Sequence, residues 1–137
     1  MESELLYEKI RAYEHVIETM NCGRVAENHG GILVFANQTI CKWLGDEKDE
    51  IVGKPVTELV PTELQDFLKE DLQSAEEGDL RSRLIAFRRK DGTTLPVLTI
   101  PQRLLDADGT PDGFFAIVVD LGAVLTARQV GPPQVLD

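Results

Sequence analysis

The chain has 137 residues, 42% hydrophobic and 28% charged, with 24 acidic against 14 basic residues and a formal net charge of −10. That balance fits one soluble globular domain able to bury a core without staples, and it excludes nonspecific nucleic-acid binding and attachment to an anionic membrane surface, both of which need cationic side chains. No apolar run is long enough to cross a bilayer, the opening MESELLYEK is too acidic for a signal peptide, and Cys22 and Cys41 are too few for a disulfide framework, so reduced thiols and a cytoplasmic location are expected.

Residues 2–20 contain no Gly or Pro, and Leu6, Ile10, Tyr13, Ile17 and Met20 follow one another at spacings of four, three, four and three. That is the period of a coiled-coil seam, sustained over about two heptads. Residues 1–21 are read as an amphipathic helix whose stripe either packs on its own domain or forms a dimer contact. Gly23 is expected to cap its end. Arg24 to Glu27 then read as a short strand, Asn28 to Gly31 as a tight turn, and Ile32 to Ala36 as the second strand of a hairpin.

Asn37 changes the character of the chain because its side-chain oxygen can accept from an orphan backbone N–H at a helix start. Helix Gln38 to Leu44 follows and Gly45 stops it. Residues 46–52 allow another helical turn, and Gly53 and Pro55 break the chain again. PTELQDFLKEDLQSAEEG is the clearest helix: Thr62 and Gln65 have capping-box spacing, Leu64, Phe67, Leu68, Leu72 and Ala75 share a face, and Gly78 closes it. The last third reads as β. Arg81 to Arg89 form a strand, Lys90-Asp91-Gly92 a turn, and Thr94 to Leu105 a long strand in which Pro96 and Pro101 limit pairing. The DADGTPDG loop, Asp106 to Gly113, leads to a strand from Phe114 to Val119. Leu121 to Val130 allow a helical start, and Gly131-Pro132-Pro133 ends it. Helix, two strands, short helices and three strands, with hairpin-length turns between neighbouring strands, make an α+β chain with an antiparallel sheet.

Four pieces in this order resemble a PAS domain over Arg24 to Leu121: GGILVFANQTICKWLG, DEIVGK (Asp49 to Lys54), RRKDG (Arg88 to Gly92), and DADG (Asp106 to Gly109) before a strand ending in Asp120-Leu121. The family's closing motif is Asp, an aliphatic residue, then Thr or Ser; Asp120 and Leu121 match, and Gly122 replaces the hydroxyl residue. The resemblance implies a five-stranded antiparallel sheet in the order 2-1-5-4-3 with helices on one face. Residues 22–121 would be the core, with residues 1–21 and 122–137 as flanks. It also implies a signal relay through Asp120 and Leu121, and a pocket between helices and sheet that holds haem, flavin, a metabolite or nothing.

Flavin-binding LOV members carry a GxNCRFLQ motif. Asn21-Cys22 shares two of its letters but precedes the first strand, and no RFLQ follows. Haem-binding relatives ligate iron with a His of the long middle helix, and residues 62–78 hold none; His15 and His29 stand apart, with no metal-ligand spacing around them. No cofactor or metal is therefore expected; the pocket has room in principle for a small apolar or mixed ligand, or is empty. Ile40, Trp43, Leu44, Leu64, Phe67 and Leu68 from the helices, with Val34, Ile85, Phe87, Leu98, Ile100, Phe115 and Ile117 from the strands, are the candidates to line the pocket; the same residue types fill ordinary cores. Arg81, Arg83, Arg88, Arg89 and Lys90 concentrate positive charge, expected as a solvated face balanced by Glu76, Glu77, Asp79 and Asp91 rather than as an anion site.

Hydrolytic triads, Gly-rich phosphate loops and paired catalytic carboxylates are absent as motifs. The expectation is a non-enzymatic sensory signalling module, a homodimer through Leu6, Ile10, Tyr13, Ile17 and Met20. It would relay a ligand or partner to an output domain, a kinase, cyclase or regulator, in cis or in trans. A ligand-free dimerisation module and a small-molecule enzyme on an α+β fold are the alternatives.

Overall fold

The computed structural model describes residues 21–123, with Glu8 and the pair Gln134–Val135. The seam residues Leu6, Ile10, Tyr13, Ile17 and Met20 lie outside the described residues, as does most of the helical start expected after Leu121.

Strands β1 (Gly23–Glu27) and β2 (Leu33–Ala36) lead into helices α1 (Gln38–Leu44) and α2 (Lys48–Ile51). Two 3-10 turns, Val56–Leu59 and Thr62–Leu64, precede helix α3 (Gln65–Glu76). Strands β3 (Arg83–Arg88), β4 (Thr94–Leu105), β5 (Pro111–Asp120) and β6 (Gln134–Val135) complete the order. The sheet runs β2-β1-β5-β4-β3-β6, with every pair antiparallel. The five-strand order implied by the resemblance is present. The tail, where no strand was expected, adds a sixth strand on the edge of β3, with Arg83 opposite Val135 and Leu84 opposite Gln134. A two-residue strand has no period by which a sequence can announce it.

Asn28 builds the first turn. Its side-chain oxygen accepts from the N–H groups of Gly30 and Ile32, and Gly31 takes a positive φ of 76°. Asn37 then ties the hairpin to α1. It is fully buried, accepts from Ile40 N–H as the helix cap, and donates through Nδ2 to the Cys22 carbonyl. Gly23, expected as a helix cap, begins β1, where a side chain would run into Ile40; the helix expected before it lies outside the described residues. The expected capping box at Thr62 and Gln65 is also absent, since the chain enters α3 through a 3-10 turn with no side-chain cap. A reciprocal box forms instead between Glu47 and Glu50, opening α2.

Both prolines of β4 sit where its ladder is registered on one side. Pro96 faces Ala86 of β3, one residue beyond the last pair with β5, and Pro101 faces Ala116 of β5 beyond the last pair with β3. Helices α1 to α3 cover one face of the sheet, and the core joins Ile40, Leu44, Ile51 and Leu68 to Val25, Leu33, Ile85, Phe87, Leu95, Val97 and Val118. At the end of β5, Asp120 accepts from the Gly122 N–H at 2.7 Å, and the Leu121 N–H donates to the Pro96 carbonyl.

Candidate functional site: a cavity beneath helix α3

A cavity of about 90 Å³ lies between α3, the first 3-10 turn and the helical face of the sheet. Leu68, Leu72 and Ala75 form its roof, Val56 and Leu59 one end, and Val25, Leu33, Ile85, Phe87, Phe114 and Ala116 its floor. Four polar residues interrupt this lining: Glu27, Asp71, Arg83 and Thr99.

Of the residues expected to line a pocket, the structure brings Leu68, Ile85, Phe87 and Phe115 to this cavity. Phe115 only borders it, its ring lying 5.0 Å from the Arg24 guanidinium carbon. Ile40 and Leu44 are buried in the core, and Trp43 and Leu64 pack against it, all four away from the cavity lining. Val34 and Phe67 are corrections, being 49% and 47% exposed. The cause at Val34 is a bulge: Ala26 faces Phe35 but Glu27 faces Leu33, so Val34 is an extra residue and Leu33 takes the inward position. At Phe67 the cause is helical phase, since the buried stripe runs through Leu68, Asp71, Leu72 and Ala75.

Leu98, Ile100 and Ile117 are further corrections. Leu95 and Val97 are buried in the core, and Thr99 and Pro101 carry the same row of β4 to the cavity. Leu98 and Ile100 alternate with that row, and Ile117, paired with Ile100, shares their side of the sheet. Both sides carry apolar residues, so alternation alone does not reveal which one the helices cover.

The basic cluster divides in the same way. Arg81 pairs with Asp79, Lys90 with Glu50, and Arg88 and Arg89 donate to the Glu58 and Trp43 carbonyls. Arg83 is no surface residue. It is 4% exposed and held by Asp71 through Nε, by the Arg81 carbonyl through Nη1 and by the Asp79 carbonyl through Nη2. Asp71 carries a legible signal, a lone carboxylate on the apolar stripe of α3, three residues from Leu68 and four from Ala75.

Glu27 is the remaining charged group of the lining. It ends β1 beside the bulge, largely buried, and burial followed by the nearby Glu76 carboxylate pushes its pKa up to about 7. No hydrogen bond or ion pair to its carboxyl is formed among the described residues. Glu76, at the end of α3, is itself near His29 Nδ1 at 3.8 Å and Arg103 Nη1 at 3.9 Å.

A family model described as PAS domain matches residues 21–123. The chain is 26% identical over 120 residues to the C4-dicarboxylate transport sensor protein DctS of Rhodobacter capsulatus. That match covers 85% of this chain, which spans 18% of the length of that relative. Among solved structures, the PAS domain of a protein from Colwellia psychrerythraea superposes with a TM-score of 0.75 at 16% identity, covering 83% of this chain and 98% of the other. The PAS domain of an HTR-like protein from Haloarcula marismortui gives 0.73 at 24% identity, covering 88% and 98%. The two structural likenesses show the fold.

Proposed function

The chain belongs to the PAS domain family, and on that premise we propose that it is a cytoplasmic sensory module without catalysis of its own, which reads a small molecule in the cavity beneath α3. The change passes to an output domain in cis or to a separate signalling protein. The observation that carries this reading is the cavity itself, with apolar walls and one carboxyl that has no partner among the described residues. Among the described residues its lining contains no His or Cys, the side chains that fix a haem iron or bond a flavin, and the ligand proposed is one that exchanges freely. Similarity to a named sensor protein supports the signalling role. No helix among the described residues is long and apolar enough to cross a membrane.

The relay runs from the cavity through the sheet. Arg83 lines the cavity, and its backbone faces Val135 in the ladder that holds the tail. Asp120 and Leu121 fix the other exit of the sheet. A ligand shifts this system only if it binds one arrangement more tightly than the other. The homodimer through Leu6, Ile10, Tyr13, Ile17 and Met20 remains part of the proposal, as the element that senses the shift.

The size of the cavity favours a second reading. About 90 Å³ is well below an ordinary ligand pocket, as a ligand-free interaction module would have. Sedimentation velocity of the full chain, before and after exposure to a small-molecule extract of its source cells, separates the two. A changed dimer fraction supports the sensor. A dimer that ignores every fraction of the extract supports the interaction module.

A further inference from the structure

We propose that the molecule this cavity takes is a small organic monoamine, its short apolar body beneath α3 and its ammonium group on the Glu27 carboxylate. The inference rests on reading the cavity as a ligand site. It begins from which charges at the cavity are already used. Arg83 directs its three nitrogens to Asp71 and to the carbonyls of Arg81 and Asp79. Asp71 is the acceptor of that pair. Arg103 donates to the carbonyls of Ala75 and Glu76 at the end of α3 and lies 5.0 Å from the Phe114 ring centroid. Among the described residues, Arg83 and Arg103 are thus committed to the protein, and Glu27 is not.

The groups that face Glu27 decide the sign of its partner. Glu76 repels it from the last turn of α3. His29, in the β1–β2 turn, and Arg103, on β4, lie against Glu76. Asp71 and Arg83 neutralise one another deeper in the lining. The C-terminal end of α3 adds partial negative charge. A carboxylate entering here would meet two carboxylates and, among the described residues, no free guanidinium. A neutral molecule would gain only its apolar contacts. An ammonium would pair with Glu27 and relieve its repulsion from Glu76.

Size sets the rest of the chemistry. At about 90 Å³ the cavity is smaller than one of about 150 Å³ that holds benzene, so the body is a short aliphatic chain. Because Glu27 titrates at about 7, an amine that needs its ionised form must compete with a proton below that pH.

The test is an NMR titration of the ¹⁵N-labelled full chain with n-butylamine, n-butanol and succinate, followed at Ala75, Ile85 and Ala116. Butylamine is expected to bind at least about tenfold more tightly than butanol and to weaken about tenfold from about pH 8 to about pH 6. Succinate is expected to leave these amides unmoved. Glu27→Gln should bring butylamine down to the level of butanol and leave butanol unchanged. Butanol or succinate binding as tightly as butylamine, or a butylamine response that survives Glu27→Gln, overturns the amine while the cavity stands as a ligand site. If none of the three moves these amides, the ligand-site reading falls with it.

Discussion

Asn37 and Arg24 exchange two hydrogen bonds: the Asn37 backbone N–H donates to the Arg24 carbonyl at 2.9 Å, and the Arg24 N–H donates to Asn37 Oδ1 at 3.0 Å. The same oxygen caps α1 at Ile40, and Nδ2 reaches the Cys22 carbonyl. One buried side chain therefore serves three main-chain groups, on β1, on α1 and on the residue before β1. Asn37→Ala keeps the backbone bond and orphans the other three groups. With about 1 kcal/mol for the cap and about 1–3 kcal/mol for each buried group left unpaired, partly relieved by water, the expected loss is about 3 kcal/mol. A urea midpoint that drops at constant slope checks it; a loss of only a few tenths would contradict it.

Arg83 and Asp71 are coupled, and a double-mutant cycle reads the coupling. Arg83→Leu strands the Asp71 carboxylate beside the cavity, and a loss of about 3 kcal/mol is expected. Replacing both by Leu removes the stranded charge, so the double variant should be more stable than Arg83→Leu alone. Losses that simply add would show that the pair contributes nothing as a pair.

Two glycines separate soft from hard steric limits. A Cβ at Gly23 would meet only side-chain atoms, Ile40 Cδ1 at 2.3 Å and Cγ1 at 2.7 Å, which give way only by repacking the core. A Cβ at Gly113 would meet the Glu27 carbonyl oxygen at 2.1 Å, with φ at 101°, where neither the backbone nor the conformation gives. Gly23→Ala is expected to cost about 1–2 kcal/mol and Gly113→Ala more than about 3 kcal/mol. Thermal midpoints in the reverse order would contradict the close approach of β5 to β1.

Glu27 gives the fold a pH dependence of definite sign. Its pKa rises from an ordinary carboxyl value of 4.5 in the unfolded chain to about 7 in the fold, first through burial and then through Glu76. The folded form holds the proton more tightly, so stability falls as pH rises through that window and the full penalty is present above about 7. Glu27→Gln carries no charge at any pH. It should be more stable than the parent by about 2 kcal/mol near pH 8, and level with it near pH 4. Equal stability at both pH values would show that the carboxyl escapes to water.

Much of the frame was legible because local chemistry wrote it. Asn37 before a short apolar helix, Gly45 after it and Asp91-Gly92 between two strands each act within a few residues, and α1 and β4 run as expected. The cavity lining was less legible because it depends on phase. One extra residue at Val34 exchanges it with Leu33. Two apolar sides hide which row of β4 faces the helices, and Thr99 reaches the cavity where Leu98 and Ile100 were expected. Arg83 looked like one of five surface cations, because only the fold brings it to Asp71.

A native mass spectrum of the full chain, exposed to a small-molecule extract of its source cells, tests most directly whether the cavity is a ligand site. Ala116→Leu, which fills the cavity floor, is the control. The expected result is a small added mass on the parent and none on the folded variant. A bare parent, or the same added mass on both proteins, would contradict the account.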